Sequence, residues 1–188
     1  VTLRRLIQAL LTKVQQGALA VPDALHRLRT LPYENLGFAS LDHHRALRQG
    51  FPEVIFCEGK TVSQVVAIAK TLLRKNNALL ATRVEPSVAR ALLRVSKRAV
   101  YHEAARVVAI APPKLVRRGA VLIVTAGTAD IPVAEEARVT ADIMGSKTDT
   151  LYDVGVAGLH RLLGQQERLH DARALIVVAG MDGVLPSV

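Results

Sequence analysis

Three short segments in the last third of the chain constrain the fold most, because each joins an apolar run to a turn rich in glycine and carboxylate. They are 124–130 (VTAGTAD), 153–160 (DVGVAGLH) and 178–183 (VAGMDG). Successive strands of an open α/β sheet deliver turns of this kind to a shared crevice at their carboxyl ends. The sequence therefore predicts a parallel sheet with a ligand site at one edge.

The first fifty residues carry helical periodicity followed by a segment of mixed polarity. One apolar stripe predicts an amphipathic first helix, formed by Leu3, Leu6, Ile7, Leu10, Leu11 and Val14. A second helix is predicted to open at Pro22 and to bury Leu25 and Leu28. Residues 33–52 are expected to form a long ordered loop, a class of segment that is often functional.

Strands and helices then alternate. Strands are predicted at 54–57, 78–82 and 105–111. Thr61 with Gln64 three residues later forms a capping box for the first intervening helix, and 85–87 (EPS) opens the second. This order predicts parallel pairing through right-handed crossovers.

A charge reversal marks a domain boundary near 112–119, where a proline pair and a basic run occur. Residues 1–118 hold 20 Lys/Arg against 7 Asp/Glu, whereas residues 119–188 hold 5 against 9. We therefore predict an N-terminal basic α/β domain at 1–117 and a second domain at 118–188. The chain begins with a residue other than Met and ends where a further crossover helix would start, so we expect a fragment or shortened product.

The second domain is predicted to alternate strands at 120–125, 147–154 and 174–179 with helices. Asp130 is a candidate N-cap for the first of these helices. The face expected to be buried by that helix consists of Val133, Ala137, Ala141 and Met144.

Composition narrows the function classes. Half of the residues are hydrophobic, which is enough for a real core, and no apolar run is long enough to span a bilayer. We therefore expect a cytoplasmic protein without a membrane partner. The net charge of +9 suits a phosphorylated small molecule, whereas 3% aromatic residues and no Trp argue against nucleic acid as the partner.

The turns themselves offer candidate chemistry. The loop around Gly127 can cradle an anion with backbone N–H groups and hydroxyls, or it can be a tight turn in which Gly127 supplies backbone freedom and Asp130 only caps the helix. Asp153 and Asp182 can serve as a base and a positioner of a cationic ring, or each can cap a helix. His160, with Arg161, can face a phosphate or can pack in the domain.

Two further groups of residues have side chains that can bind metal or react. Asp42, His43 and His44 could suggest a metal, but adjacent histidines point apart and no third ligand has diagnostic spacing, so we predict no metal site. Cys57, the single cysteine, follows an apolar strand beside Glu58. This setting favours a small buried side chain over a nucleophile.

Taken together, several motifs resemble the LarB family, the pyridinium biscarboxylate mononucleotide synthases of nickel pincer cofactor biosynthesis. They are 41–45 (LDHHR), 48–50 (RQG), 52–56 (PEVIF), 58–61 (EGKT) and the three C-terminal segments. The resemblance runs from about Tyr33 to Val188. It implies an N-terminal α/β domain followed by a partial PurE-like domain, a flavodoxin-like parallel sheet in three layers.

The resemblance also implies a reaction, in which nicotinic acid adenine dinucleotide is carboxylated on its pyridinium ring with CO₂ and then hydrolysed to release AMP. A thiolate must first add to the cationic ring, because that ring does not attack CO₂. In the family this thiol lies in an Asn-Ser-Cys segment beyond the last block, and Cys57 does not occupy that position. The resemblance implies no tightly bound cofactor and makes CO₂ a co-substrate. Whether the reaction also uses Mg²⁺ stays open.

Site residues carried over by resemblance fall into three sets. The catalytic pair is Asp182, where the family usually has Glu, and Asp153. The substrate contacts are Thr125, Gly127, Thr128, Asp130, Gly155, Gly158, His160 and Met181, and the supporting or phosphate-neutralising residues are Asp42, Arg45, Arg48 and Lys60. The family further implies a homo-oligomer, for which an octamer is one possibility. Two alternatives stay open: an aminoimidazole ribonucleotide carboxylase or mutase, and a non-catalytic nucleotide-binding domain.

Overall fold

A computed structural model describes residues 3–29, 33–42, 45, 50–180 and 182–188. Its helices are α1 (Leu3–Gln15), α2 (Val21–Arg29), α3 (Val62–Lys75), α4 (Pro86–Val95), α5 (Ile131–Ile143), α6 (Leu159–Leu163) and α7 (Gln166–Asp171). Its strands are β1 (Tyr33–Asn35), β2 (Ser40–Asp42), β3 (Ile55–Phe56), β4 (Leu79–Thr82), β5 (Val100–His102), β6 (Val107–Ile110), β7 (Arg118–Thr125), β8 (Ser146–Leu151) and β9 (Ala174–Val178). Single turns of 3₁₀ helix occur at Thr128–Asp130, Val156–Gly158 and Leu185–Ser187.

The N-terminal sheet has the order β3-β4-β6-β5. Strands β3 and β4 are parallel, as predicted, and the capping box of Thr61 and Gln64 starts the connecting helix α3. The prediction of parallel pairing throughout is wrong, because β6 runs antiparallel to both β4 and β5. Strand β5 was not predicted, and the tight turn at Arg106 (φ +52°) reverses the chain so that β6 inserts between its neighbours.

The C-terminal sheet has the order β8-β7-β9, and both pairings are parallel. Leu122 and Val124 of β7 pack with Leu162 of α6 and with Leu185. Since side chains alternate along a strand, the intervening Ile123 faces the opposite side of the sheet. The molecule is a mixed α/β protein consistent with a flavodoxin-like fold, which confirms the predicted fold class.

Helix α5 lies between the two sheets. It contacts all three strands of the C-terminal sheet and also β4 and β6 of the N-terminal sheet. Val139 and Ile143 pack in one buried cluster with Phe51, Leu80 and Val107. The boundary between 117 and 118 stays a prediction, and this helix contacts the structure on both sides of it.

The predicted buried face of α5 is wrong at its two ends, although Ala137 and Ala141 between them are partly buried. Val133 and Met144 are 48% and 52% exposed, whereas Ala134, Val139 and Ile143 are buried. A helix covered on two sides has no single apolar stripe, so the periodicity rule selects the wrong residues.

The first two helices form as predicted, but α2 does not bury Leu25, which is 56% exposed. Leu10 of α1 and Ala24 of α2 are buried instead, because these helices pack mainly against each other. Part of the expected loop at 33–52 is a hairpin of β1 and β2, turning at Gly37. In the described ranges no helix is long and apolar enough to cross a membrane.

A polar network on α5 includes Tyr152, which follows β8, and its charges act on His102 of β5. Arg138 donates two 2.8 Å hydrogen bonds to Glu135, and Tyr152 donates its hydroxyl to the same carboxylate. Hydrogen bonds hold the pKa of Glu135 below its usual range. The hydrogen bond from Arg138 has the larger effect, and the one from Tyr152 has the smaller effect. Burial, followed by the charge of Arg138, lowers the pKa of His102, while Glu135 and Asp142 act in the opposite direction.

We expect His102 to make the fold less stable in mild acid. Its pKa in the folded state is below the ordinary value of 6.5, so the unfolded chain takes up the proton first as the pH falls. The free energy of unfolding should decrease from pH 6.5 downward, and His102→Gln should lose less stability than wild type over that range. Urea unfolding at pH 7.5, 6.5 and 5.5 measures the difference. Equal losses in the two proteins would contradict the expectation.

Candidate functional site

The three glycine-rich turns meet at the carboxyl edge of the C-terminal sheet, with β7 in the middle. Thr125, the last residue of β7, lies beside Val178 of β9 in register. On its other side, the carbonyl of Thr125 accepts a 3.0 Å hydrogen bond from Val154, beyond the end of β8. Parallel strands open to ligands at this edge. The segments around Gly127, Asp153 and Gly180 therefore border one region of the surface.

Thr125 and Asp153 form the most ordered part of this edge. The Thr125 side chain is fully buried, and its Oγ1 accepts the Asp153 backbone N–H at 3.0 Å. Asp153 has a left-handed backbone with φ +59°, a conformation that Asp adopts more readily than most residues. The buried hydroxyl thus fixes a strained residue whose side chain is half exposed.

The carboxylate of Asp153 is paired with a cation. Arg161 of α6 donates from Nη1 to Asp153 Oδ2 at 2.5 Å. The sequence suggests Arg161 only as a phosphate-facing neighbour of His160, and no spacing rule predicts its ion pair with Asp153. The structure thus adds a positive group beside the predicted catalytic carboxylate.

Two positions near Asp153 require glycine for different physical reasons. A Cβ at Gly155 would lie 2.7 Å from the carbonyl oxygen of Ala126, a backbone atom that also accepts the Gly155 N–H at 2.8 Å. A Cβ at Gly158 would instead lie 2.5 Å from Nε of Arg161. Gly155 therefore permits close approach of two backbones, whereas Gly158 leaves room for the arginine side chain.

The loop at Gly127 is closed by Asp130. The Gly127 N–H donates to Asp130 Oδ2 at 2.9 Å, and the Asp130 N–H donates to the Gly127 carbonyl at 3.2 Å. Asp130 occupies the N-cap position of α5, but its side chain makes no capping hydrogen bond to that helix. The Gly127 N–H is therefore satisfied within the loop, and the helix cap expected of the Asp130 side chain does not form. The side chain of Thr128 is exposed beside it.

The third turn places Asp182 in an exposed position after β9. Asp182 and Gly183 have positive φ angles of +47° and +63°, so the chain reverses sharply here. Met181 lies outside the described residues. The roles assigned to Asp182 and Met181 stay predictions.

The remaining assigned residues lie in exposed or N-terminal positions. His160 and Arg45 are exposed, and Arg48 lies outside the described residues. Lys60 donates to the Phe56 carbonyl at 2.7 Å and lies 5.8 Å from the centre of the Phe56 ring, which holds it at the end of β3. The backbone N–H of Asp42 donates to Glu53 at 2.7 Å. These contacts hold Lys60 and Asp42 in place within the N-terminal part of the fold.

Cys57 is a poor nucleophile. It is 4% exposed, and burial raises the pKa of its thiol to about 11 despite the nearby charge of Lys60. The thiolate is the reactive form of cysteine. At neutral pH Cys57 is therefore an inert buried thiol.

A metal ion needs several ligand side chains close together. Across the described ranges, no three His, Cys, Asp or Glu side chains lie close enough to hold a metal ion. His43 and His44, the residues beside Asp42, lie outside those ranges.

Comparison with known proteins adds two findings. A family model described as the LarB/PurE-like N-terminal domain matches residues 33–112, from β1 to the residues after β6. An uncharacterized protein of Methanocaldococcus jannaschii is 34% identical over 193 aligned positions, which cover 97% of this chain and 75% of that protein. The second similarity therefore extends over the C-terminal sheet and its three turns.

Proposed function

The chain belongs to the LarB family and is related to its carboxylases, and from this premise we propose that it acts on nicotinic acid adenine dinucleotide. The reaction is carboxylation of the pyridinium ring with CO₂ and hydrolysis of the phosphoanhydride to release AMP. CO₂ is a co-substrate, Mg²⁺ assists at the phosphates, and the working form is a homo-oligomer in the cytoplasm.

One observation carries the proposal: three turns bearing carboxylates and glycines border a single edge of a parallel sheet. The half-exposed carboxylate of Asp153 lies there on a backbone fixed by Thr125. A carboxylate at this position favours a cationic ring over a neutral one. Asp182, exposed on the adjoining turn, is the candidate base that accepts the ring proton.

The chemistry also requires a thiolate, since the pyridinium ring becomes electron-rich only after a nucleophile has added to it. Cys57 is the single cysteine of these 188 residues, and it is buried and protonated. We therefore assign binding and proton transfer to the sheet edge, and we assign the attacking sulfur to a residue other than Cys57.

Binding of the dinucleotide tests this assignment. We expect calorimetry to detect nicotinic acid adenine dinucleotide binding to the chain, and Asp153→Asn to weaken it about tenfold, because a charge-assisted contact is lost. Asp149→Asn is the matched control, since Asp149 is also an exposed carboxylate paired with an arginine but lies within β8. It should bind like wild type. Failure of the wild-type chain to bind the dinucleotide would contradict the proposed function.

Turnover is tested separately. With labelled bicarbonate and Mg²⁺, the chain alone is expected to bind the dinucleotide without forming acid-stable label, because its only thiol is buried. Efficient label incorporation that is lost in Cys57→Ser would show that the assignment of Cys57 as inert is wrong.

A further inference from the structure

Arg161 is held over Gly158 at the edge of the candidate site. Its guanidinium reaches Asp153 through Nη1, and its Nε and Nη2 lie where a side chain at residue 158 would begin. Within the described part of the chain, Asp153 is the one group to which this guanidinium donates a hydrogen bond. The Nε and Nη2 edge is turned toward Gly158, and because the side chain is 40% exposed, Nη N–H groups stay accessible to a ligand.

Stability does not account for this arrangement. The side chains of Arg161 and Asp153 are 40% and 50% exposed, and ion pairs in such settings contribute little to folding. The observed pair nevertheless occurs with a left-handed backbone conformation at Asp153 and with a glycine at position 158, where a side chain would collide with the guanidinium. Features that contribute little to the fold but occur together at a sheet edge are expected where a ligand is recognised.

We propose that Arg161 is the residue that recognises the carboxylate on the pyridine ring of the dinucleotide, and that it thereby selects the acid over the corresponding amide. This inference rests on the proposed function. Asp153 orients the guanidinium, whose remaining Nη N–H groups can donate charge-assisted hydrogen bonds to a carboxylate. The amide offers a single neutral acceptor and also presents N–H donors to the arginine, so it gains less at this position.

The charges of the pair suit the ring as a whole. A nicotinic acid ring in the dinucleotide is a cation that carries a carboxylate, so it presents both signs of charge to a protein. Asp153 and Arg161 present the opposite signs side by side. A nicotinamide ring retains only the positive charge, so it offers Arg161 no negative group beyond that of Asp153.

The test compares binding of nicotinic acid adenine dinucleotide with binding of its nicotinamide counterpart by calorimetry. Wild type is expected to prefer the acid about 10- to 100-fold, the difference made by hydrogen bonds to a charged group. Arg161→Gln should remove that preference, and Arg161→Lys should restore part of it. Gly158→Ala should also reduce it, since the added methyl group displaces the guanidinium without deleting it.

Arg168→Gln is the matched control. Arg168 is also 40% exposed, and it forms a 2.7 Å salt bridge with an aspartate, Asp149. It should leave the preference for the acid unchanged. If wild type binds both dinucleotides equally, or if Arg161→Gln keeps the preference, the role of Arg161 is wrong while dinucleotide binding stands. If wild type binds neither, the proposed function itself fails.

Discussion

Replacing Ile143 by alanine is expected to lower the free energy of unfolding by about 2–5 kcal/mol, the range for truncating a buried aliphatic side chain. Ile143 is 3% exposed and packs in a cluster with Leu80 and Val107 of the N-terminal sheet. Its helix also contacts the C-terminal sheet, so the cavity would open where both sheets meet α5. Urea unfolding followed by circular dichroism measures the loss.

Met144→Ala is the matched control, because Met144 is the next residue along the chain but is 52% exposed. We expect its free energy of unfolding to change by less than about 0.5 kcal/mol. Equal effects of the two substitutions would contradict the observed packing of α5 and would favour the face expected from periodicity.

This pair of residues also shows where sequence reasoning succeeds and fails. The pattern at 131–143 identifies a helix, because its length and its flanking strands suffice for that. Periodicity then assumes that a helix meets one apolar surface. Helix α5 meets two, and the second belongs to residues far away in the chain, so the face at Ile143 could not be identified locally.

The N-terminal sheet illustrates a second limit. Strands β4 and β6 are short apolar runs and were found, but β5 (Val100–His102) mixes polar and apolar residues and has no such signature. Because β5 is not recognised, β6 is expected to follow a crossover helix and to run parallel to β4, which is the opposite of its observed direction. Parallel pairing was therefore confirmed for β3 with β4 and was wrong for β6.

For the candidate site, the sequence predicted the place but not the contacts. Glycine and carboxylate turns after apolar runs suffice to locate a sheet edge, and the parallel order of β8, β7 and β9 follows from crossover helices. The pairing of Asp153 with Arg161 depends instead on how α6 docks. The Asp130 side chain that closes the Gly127 turn is similarly a product of local backbone geometry that composition does not encode.

Replacing Gly155 by alanine is expected to lower the free energy of unfolding by about 2–4 kcal/mol, combining overpacking with the loss of a hydrogen bond. The new Cβ would lie 2.7 Å from the carbonyl oxygen of Ala126. Neither backbone can move away without breaking the 2.8 Å hydrogen bond between them. The shift would also displace Asp153, two residues earlier, so binding of the dinucleotide should weaken in the folded fraction.

Gly158→Ala separates this backbone effect from the general cost of removing a glycine. Gly158 has a negative φ of −122°, so alanine meets no left-handed strain there, and the group in its way is the end of a flexible arginine side chain. Because alanine also restricts the unfolded chain, its free energy of unfolding should stay within about 1 kcal/mol of wild type. Thermal and urea unfolding of the two variants, measured beside wild type, should therefore give a large loss at 155 and almost none at 158. Comparable losses at the two positions would mean that the close approach of Gly155 to Ala126 is not the cause of the loss at 155.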